Sequence, residues 1–208
     1  MISVATGIAR ILKKEGIEWV STFPVCRVNN SLGEENIPMI MMRDDRYAVA
    51  LADGYSRVTA GKEIGVCTVQ GGVNAAGIQV AYAGLAQAYE DNSPVLCITD
   101  GVPIGNTENS QFDVTSSLKS VTKWYGYIDS PDRTNEFMRR AFTMLRNGPP
   151  GPVVIAVPDA SALFDEDGFI FVQTYSGLLK IPGTRYMYSC GVNGMTCGVF
   201  KTLNHIRG

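Results

Sequence analysis

Two adjacent carboxylates, Asp44 and Asp45, stand between Arg43 and Arg46 in the stretch RDDRYAVALADGYSRV (43–58), directly after the apolar run Ile37-Pro38-Met39-Ile40-Met41-Met42. The small residues Ala48, Val49, Ala50, Leu51 and Ala52 follow, so the two acids fall where a strand hands over to a helix. Such junctions often carry binding and catalytic groups. A carboxylate there also has a structural use: it caps the helix, accepting hydrogen bonds from the first free N–H groups and offsetting the positive end of the dipole. A second candidate is the loop QGGVNAAG (70–77), whose glycines would let backbone N–H groups approach a ligand at a helix N-terminus or simply provide a tight turn. Gly71, Gly72 and Gly77 match neither the dinucleotide fingerprint nor the P-loop.

Composition excludes several other chemistries. The net charge is -2, and the 18 Lys and Arg residues form no long run, which argues against a nucleic-acid groove or an anionic membrane surface. The five cysteines, Cys26, Cys67, Cys97, Cys190 and Cys197, include no CxxC pair, and the one histidine is His205, so a zinc site is not expected. Cys67 and Cys97 lie in apolar runs where buried free thiols are common. With no apolar run of signal-peptide or membrane-span length, a cytoplasmic protein is expected. The triplet Asn29-Asn30-Ser31 fits a glycosylation sequon but is discounted for want of a secretory context. At 208 residues and 45% apolar content the chain suits one domain, or one domain and a tail.

The elements that must position these groups alternate between helix and strand. Ser3 can cap a helix with Val4, Ile8, Ile11 and Leu12 on its apolar face, and Gly16 is placed to end it. Strands are expected at 19–23, 39–42, 64–69, 94–99 and 153–157, and helices at 46–60, 78–89 and 131–146, with a weaker helical stretch at 29–35. The continuous apolar run 64–69 implies burial on both faces. Repeated βα units predict an α/β fold, a parallel sheet with helices on both faces, with ligands beyond the carboxyl ends of the strands.

Six segments in order, FPV (23–25), RDDRYAVALADGYSRV (43–58), IGVCTVQGG (64–72), AGLAQAYEDNSPVL (83–96), SVTKWYGYI (120–128) and NGPPGPVVIAVP (147–158), resemble the N-terminal pyrimidine-binding domain of thiamine-diphosphate-dependent enzymes of the acetolactate synthase type. The resemblance runs from about Ser3 to Pro158. It implies a domain that holds the aminopyrimidine ring of the cofactor, while a separate domain holds the diphosphate and its Mg²⁺. The family signature of Arg-x-Glu followed by Ala-Asp-Gly-Tyr falls on Arg43-x-Asp45 and Ala52-Asp53-Gly54-Tyr55, which puts Asp45 in the place of the catalytic glutamate that bonds the ring nitrogen N1′. Aspartate is one methylene shorter, so its oxygens fall short by roughly 1.5 Å unless the backbone moves inward.

The resemblance further implies cofactor contacts at Pro24, Val25, Gln70, Gly71, Gly72 and Gln79, and a substrate-side role for Gln111. Val25 stands where glycine is usual, and the turn after Gln70 is three residues longer than the family pattern. The metal-binding pattern of the diphosphate domain, Gly-Asp-Gly with later paired asparagines, does not occur; Thr99-Asp100-Gly101 imitates part of it on the strand leading to the substrate-side loop. Residues 1–163 are assigned to the pyrimidine-binding domain and 164–208 to a divergent tail. The implied partner is a second copy or a subunit bearing the diphosphate domain, and the implied substrate a 2-oxo acid undergoing decarboxylation or carboligation. Two alternatives stay open: a split decarboxylase subunit of the sulfopyruvate or phosphonopyruvate type, and a non-catalytic assembly module with a vestigial pocket.

Overall fold

Alternate side chains along each central strand go to opposite faces, and that period of two sets the layering. The computed structural model describes residues 1–72, 76–103 and 113–164, together with the backbone of 186–190 and 197–201. The first half contains β1 (Ile2–Ser3), α1 (Val4–Lys14), β2 (Val20–Thr22), α2 (Asn29–Glu34), β3 (Met39–Met41), α3 (Asp45–Val58), β4 (Gly65–Val69) and α4 (Gly77–Glu90). The second contains β5 (Val95–Asp100), α5 (Val114–Leu118), β6 (Trp124–Tyr127), α6 (Thr134–Arg146), β7 (Val153–Val157), β8 (Leu163–Phe164), β9 (Tyr186–Cys190) and β10 (Cys197–Lys201). One six-stranded sheet runs β3-β2-β4-β5-β7-β6, and every pair in it is parallel.

Val66, Leu96, Ile98, Val153 and Ile155 pack on one face with Ile8 and Leu12 of α1 and Met138 and Phe142 of α6. Cys67, Val69, Val95, Cys97 and Val154 pack on the other with Ala48, Val49 and Ala52 of α3 and Ala81 and Leu85 of α4. Helices therefore cover both faces, as the βα alternation predicts. The small residues of α3 and α4 let the two helices approach closely: a Cβ at Gly84 would lie 2.9 Å from Val49 Cβ.

Local signals hold at the first helix. Ser3 Oγ accepts the Thr6 N–H at 3.1 Å, and Gly16, with φ of +81°, follows the helix end. The helix expected over 131–146 opens instead as a 3₁₀ turn over Pro131–Arg133, and α6 proper begins at Thr134. Strand β6 and the short α5 have no counterpart in the sequence expectations. Trp124, Tyr125 and Tyr127 are only partly buried on this edge strand, so no clean alternation marks it. Pairing with β7 places it there, and Trp124 stacks on Phe137 of α6 with ring centroids 6.2 Å apart.

Leu163 and Phe164 pair antiparallel with Ser3 and Ile2, bringing both ends of the α/β unit together. Farther on, β9 and β10 form an antiparallel pair with Cys197 opposite Cys190. Among the described residues, no helix is long and apolar enough to cross a membrane.

Candidate functional site

The strand order creates a crevice at one defined place. The connection leaving β2 runs to β3 on one side, and the connection leaving β4 runs to β5 on the other. Adjacent strands whose exits diverge leave a gap at their carboxyl ends, which is where open α/β sheets bind ligands. Three segments meet around it: Phe23 to Arg27 after β2, Asp44 and Asp45 after β3, and Gln70 to Gly72 after β4.

The two adjacent acids divide the work. Asp44 is the N-cap of α3: its backbone is extended, and Oδ1 accepts the Arg46 N–H at 2.8 Å. Asp45 is the first residue of the helix and is buried, with Oδ1 accepting the Gln70 N–H at 2.7 Å across the crevice. Burial pushes the Asp45 carboxyl above the usual carboxylate range; the Gln70 amide opposes that shift and the neighbouring Asp44 charge adds to it. Gly77 at the start of α4 makes the arrangement possible. A Cβ there would lie 2.6 Å from Gln70 Cβ and 2.8 Å from Asp45 Cγ, so only glycine lets the helix close on this pair. Replacing Asp44 by alanine is expected to lower stability by about 0.5–2 kcal/mol, the usual value of an N-cap, in a urea titration, and to leave the Asp45–Gln70 contact intact.

The turn after β2 is fastened at both ends. The Phe23 N–H donates to Thr68 O at 3.2 Å, and Asn29 Nδ2 donates to Phe23 O at 3.0 Å. Thr68 Oγ1 lies 2.6 Å from Thr22 Oγ1 and 2.7 Å from Asn29 Oδ1, a buried polar knot under the crevice. At the far end, the Arg27 N–H donates to Asp100 Oδ1 at 3.2 Å, linking the turn to the end of β5. Pro24 and Val25 form the exposed tip between these anchors. Asn29, the acceptor of the apparent sequon, is buried in this knot and so is not presented for glycosylation.

Asp45, Gln70, Gly71 and Gly72 thus come together, and Pro24 and Val25 stand on the adjoining turn. Gln79 is exposed on α4 and lines an open depression with Tyr82, Ser116, Ser117 and Ser120, facing α5. Gln111 lies outside the described residues. Asn29, Thr68, Arg27 and Asp100 were not legible as site residues: threonine favours strands anyway, and the Arg27–Asp100 contact joins residues 73 positions apart. Cys26, Cys67 and Cys97 are free and buried, and burial raises the Cys26 thiol pKa. Among the described residues no cluster of three or more His, Cys, Asp or Glu could hold a metal ion.

Comparison with known proteins adds an independent line. The family model described as thiamine pyrophosphate enzyme, N-terminal TPP binding domain, matches residues 2–121, which include the whole crevice. A probable acetolactate synthase large subunit from Methanocaldococcus jannaschii is 31% identical over 189 residues, 87% of this chain and 30% of the relative. Glyoxylate carboligase from Escherichia coli O157:H7 is 32% identical over 155 residues, 71% of this chain and 26% of the relative. Acetolactate synthase 2, chloroplastic, from Nicotiana tabacum is 29% identical over 183 residues, 85% of this chain and 26% of the relative. The chain spans less than a third of the length of each of these relatives. With a family match over more than half its length and a parallel sheet whose crevice holds a buried carboxylate, the chain belongs to the thiamine pyrophosphate enzymes and carries their N-terminal TPP-binding domain.

Proposed function

We propose that this domain holds the pyrimidine end of thiamine diphosphate in an enzyme of the acetolactate synthase type that acts on 2-oxo acids by decarboxylation or carboligation. The observation that carries the reading is Asp45, a buried carboxyl with a raised pKa at the glycine-lined exit of β4. The residues present fit an aminopyrimidine. One Asp45 oxygen is held by the Gln70 amide, and the other would meet the ring nitrogen N1′ when the cofactor is bound. A carboxyl whose proton affinity is raised by burial is suited to share a proton with such a nitrogen. Gln70, Gly71 and Gly72 line the ring's edge, Pro24 and Val25 close over it, and Gln111 is assigned to the substrate side, whereas Gln79 faces α5 and has no assigned contact with the ring.

When bound, the cofactor supplies the carbon nucleophile for 2-oxo acid chemistry, while the protein supplies placement and electrostatics. Asp45 holds the ring in register and sets its protonation, the Asn29–Thr68 knot keeps the β2 turn in place, and the turn shields the ring from water.

The diphosphate and its Mg²⁺ are assigned to a separate domain, on a second copy or on another subunit, working with this one in the cytoplasm. Residues 1–163 form the pyrimidine-binding unit in this reading and 164–208 a distinct tail, with the unit carried through Phe164, which pairs with Ile2 and is buried in the core. Because the Gly-Asp-Gly and paired-asparagine pattern is missing from the sequence, the chain alone is expected neither to bind thiamine diphosphate tightly nor to consume pyruvate. Isothermal calorimetry is the check: micromolar, Mg²⁺-dependent binding to the isolated chain would show that the diphosphate is held here after all. Sedimentation is expected to show self-association, or capture of a diphosphate-domain subunit. A monomer at high concentration with no partner in cells would count against the assembly.

A further inference from the structure

Asp100 is a buried carboxylate that the reading above leaves without a task. It ends β5, and its backbone is fixed from two sides. Toward β4, the missing side chain of Gly71 lets Asp100 O come so close that a Cβ there would lie 2.2 Å from it. Toward β7, the Gly101 N–H donates to Val157 O at 2.8 Å. The carboxylate therefore projects from an immobile point of the sheet into the space beneath the β2 turn. There it accepts the Arg27 N–H, the tether at the turn's far end.

We propose that Asp100 is a positioning residue of the cofactor site: its ionised carboxylate latches the Phe23–Arg27 turn to the end of β5 and so holds Pro24 and Val25 over the pyrimidine pocket. The role rests on the assignment of this crevice to the pyrimidine end of the cofactor. Between Phe23, fastened by Thr68 and Asn29, and Arg27, fastened by Asp100, only Pro24, Val25 and Cys26 intervene. Cys26 is buried and its carbonyl accepts the Asn29 N–H at 3.1 Å, so releasing the Asp100 end loosens the exposed tip without freeing the turn. A loop held in its binding conformation before the ligand arrives loses less entropy on binding.

The charge is kept against the stability of the fold. Burial raises the Asp100 pKa to about 6, with the Arg27 amide and guanidinium opposing the shift. A carboxyl raised above its ordinary value binds its proton more tightly in the folded chain than in the unfolded one, so this group lowers stability as pH rises from the ordinary value of 3.8 to about 6. The charged groups acting around it are Arg27, which opposes the Asp100 shift, and Asp45, which with Asp100 raises the Cys26 thiol, while Asp159 after β7 also feels the Arg27 charge. Protonation weakens the acceptor for the Arg27 amide and loosens the latch, so the site opens on the acid side.

The test uses the full chain, isotopically labelled, with thiamine at millimolar concentration as the probe. The Arg27 amide resonance is expected to titrate with a midpoint near 6 in the wild type and to stay flat in Asp100→Asn, whose amide oxygen still accepts the bond without a charge. Thiamine-induced shifts at Val25, Gln70 and Gly71 report binding. Asp100→Ala is expected to bind thiamine about 3- to 10-fold more weakly at neutral pH, the equivalent of one hydrogen bond. Asp100→Asn, which keeps an acceptor but not the charge, is expected to bind more weakly than the wild type at neutral pH and to show no further loss through the Asp100 midpoint, where the wild type loses affinity. That comparison removes the titrations of Asp45 and of thiamine itself, which both proteins share.

An Arg27 amide that does not titrate in the wild type, or an Asp100→Ala variant that binds thiamine as tightly as the wild type, overturns the latch while leaving the cofactor assignment standing. No thiamine response in the wild type at any pH, with Arg27 still titrating, overturns the cofactor assignment and the positioning role with it. If Asp100→Ala does not fold, identical pH profiles for the wild type and Asp100→Asn are sufficient to reject the proposal.

Discussion

Replacing Asp45 by alanine is expected to slow hydrogen–deuterium exchange at C2 of thiamine diphosphate by about 10²- to 10⁴-fold in the assembled enzyme, the usual contribution of a positioned acid–base group. The expectation rests on the division of labour between the two acids. Asp44 is engaged in capping α3 at the rim, whereas Asp45 is buried at the crevice and held by Gln70. Asp45→Glu is expected to speed the exchange relative to the wild type, because the longer side chain restores the reach that aspartate lacks by roughly one C–C bond. Thermal unfolding recorded for both variants separates a lost contact from a lost fold. If Asp45→Ala exchanged as fast as the wild type, Asp45 would have only a structural role, and the non-catalytic assembly module would be the better account.

The largest effect on stability is expected at Gly65. It opens β4 directly under α3, and a Cβ there would lie 1.9 Å from Ala52 O and 2.6 Å from Ala52 C. Those atoms are helix backbone, so no side-chain rotation relieves the clash. The Gly65 N–H also donates to Ser56 Oγ at 2.7 Å, and Ser56 in turn donates to Pro94 O at 2.8 Å, so a shift at Gly65 disturbs a buried connection between α3 and the start of β5. Gly65→Ala is therefore expected to cost about 3 kcal/mol or more, the upper end for overpacking, in a domain whose total stability is of order 5–15 kcal/mol. Urea unfolding is the measurement. A loss below about 1 kcal/mol would mean that α3 can move away from the sheet, contrary to its tight fit against β4.

Much of this architecture is local and therefore legible in the chain itself. The run from Ile64 to Val69 must be a strand buried on both faces because it has no polar side chain except a threonine, and the alanines after Asp45 must form a helix packed closely on its neighbour. Ser3 and Gly16 mark the ends of α1 by capping chemistry that acts within a few residues. The same locality put two carboxylates at a strand-to-helix junction, and thus at the carboxyl edge of a parallel sheet. It did not say which acid would cap. In the folded chain the helix begins at Asp45, and the choice comes from the Gln70 amide and the close fit that Gly77 allows, both reached only when β4 and α4 pack beside α3.

Edge strand β6 was hidden for a related reason: Trp124 and its neighbours show no alternation, and their place is decided by pairing with β7 and stacking on α6. The contact of Arg27 with Asp100 spans 73 positions and has no periodic trace in the sequence. Hydrophobic period, caps and turns act over a few residues and can be read from the chain; the protonation of a buried carboxyl and the partner it finds depend on desolvation and on groups that only the assembled sheet brings within a few ångströms.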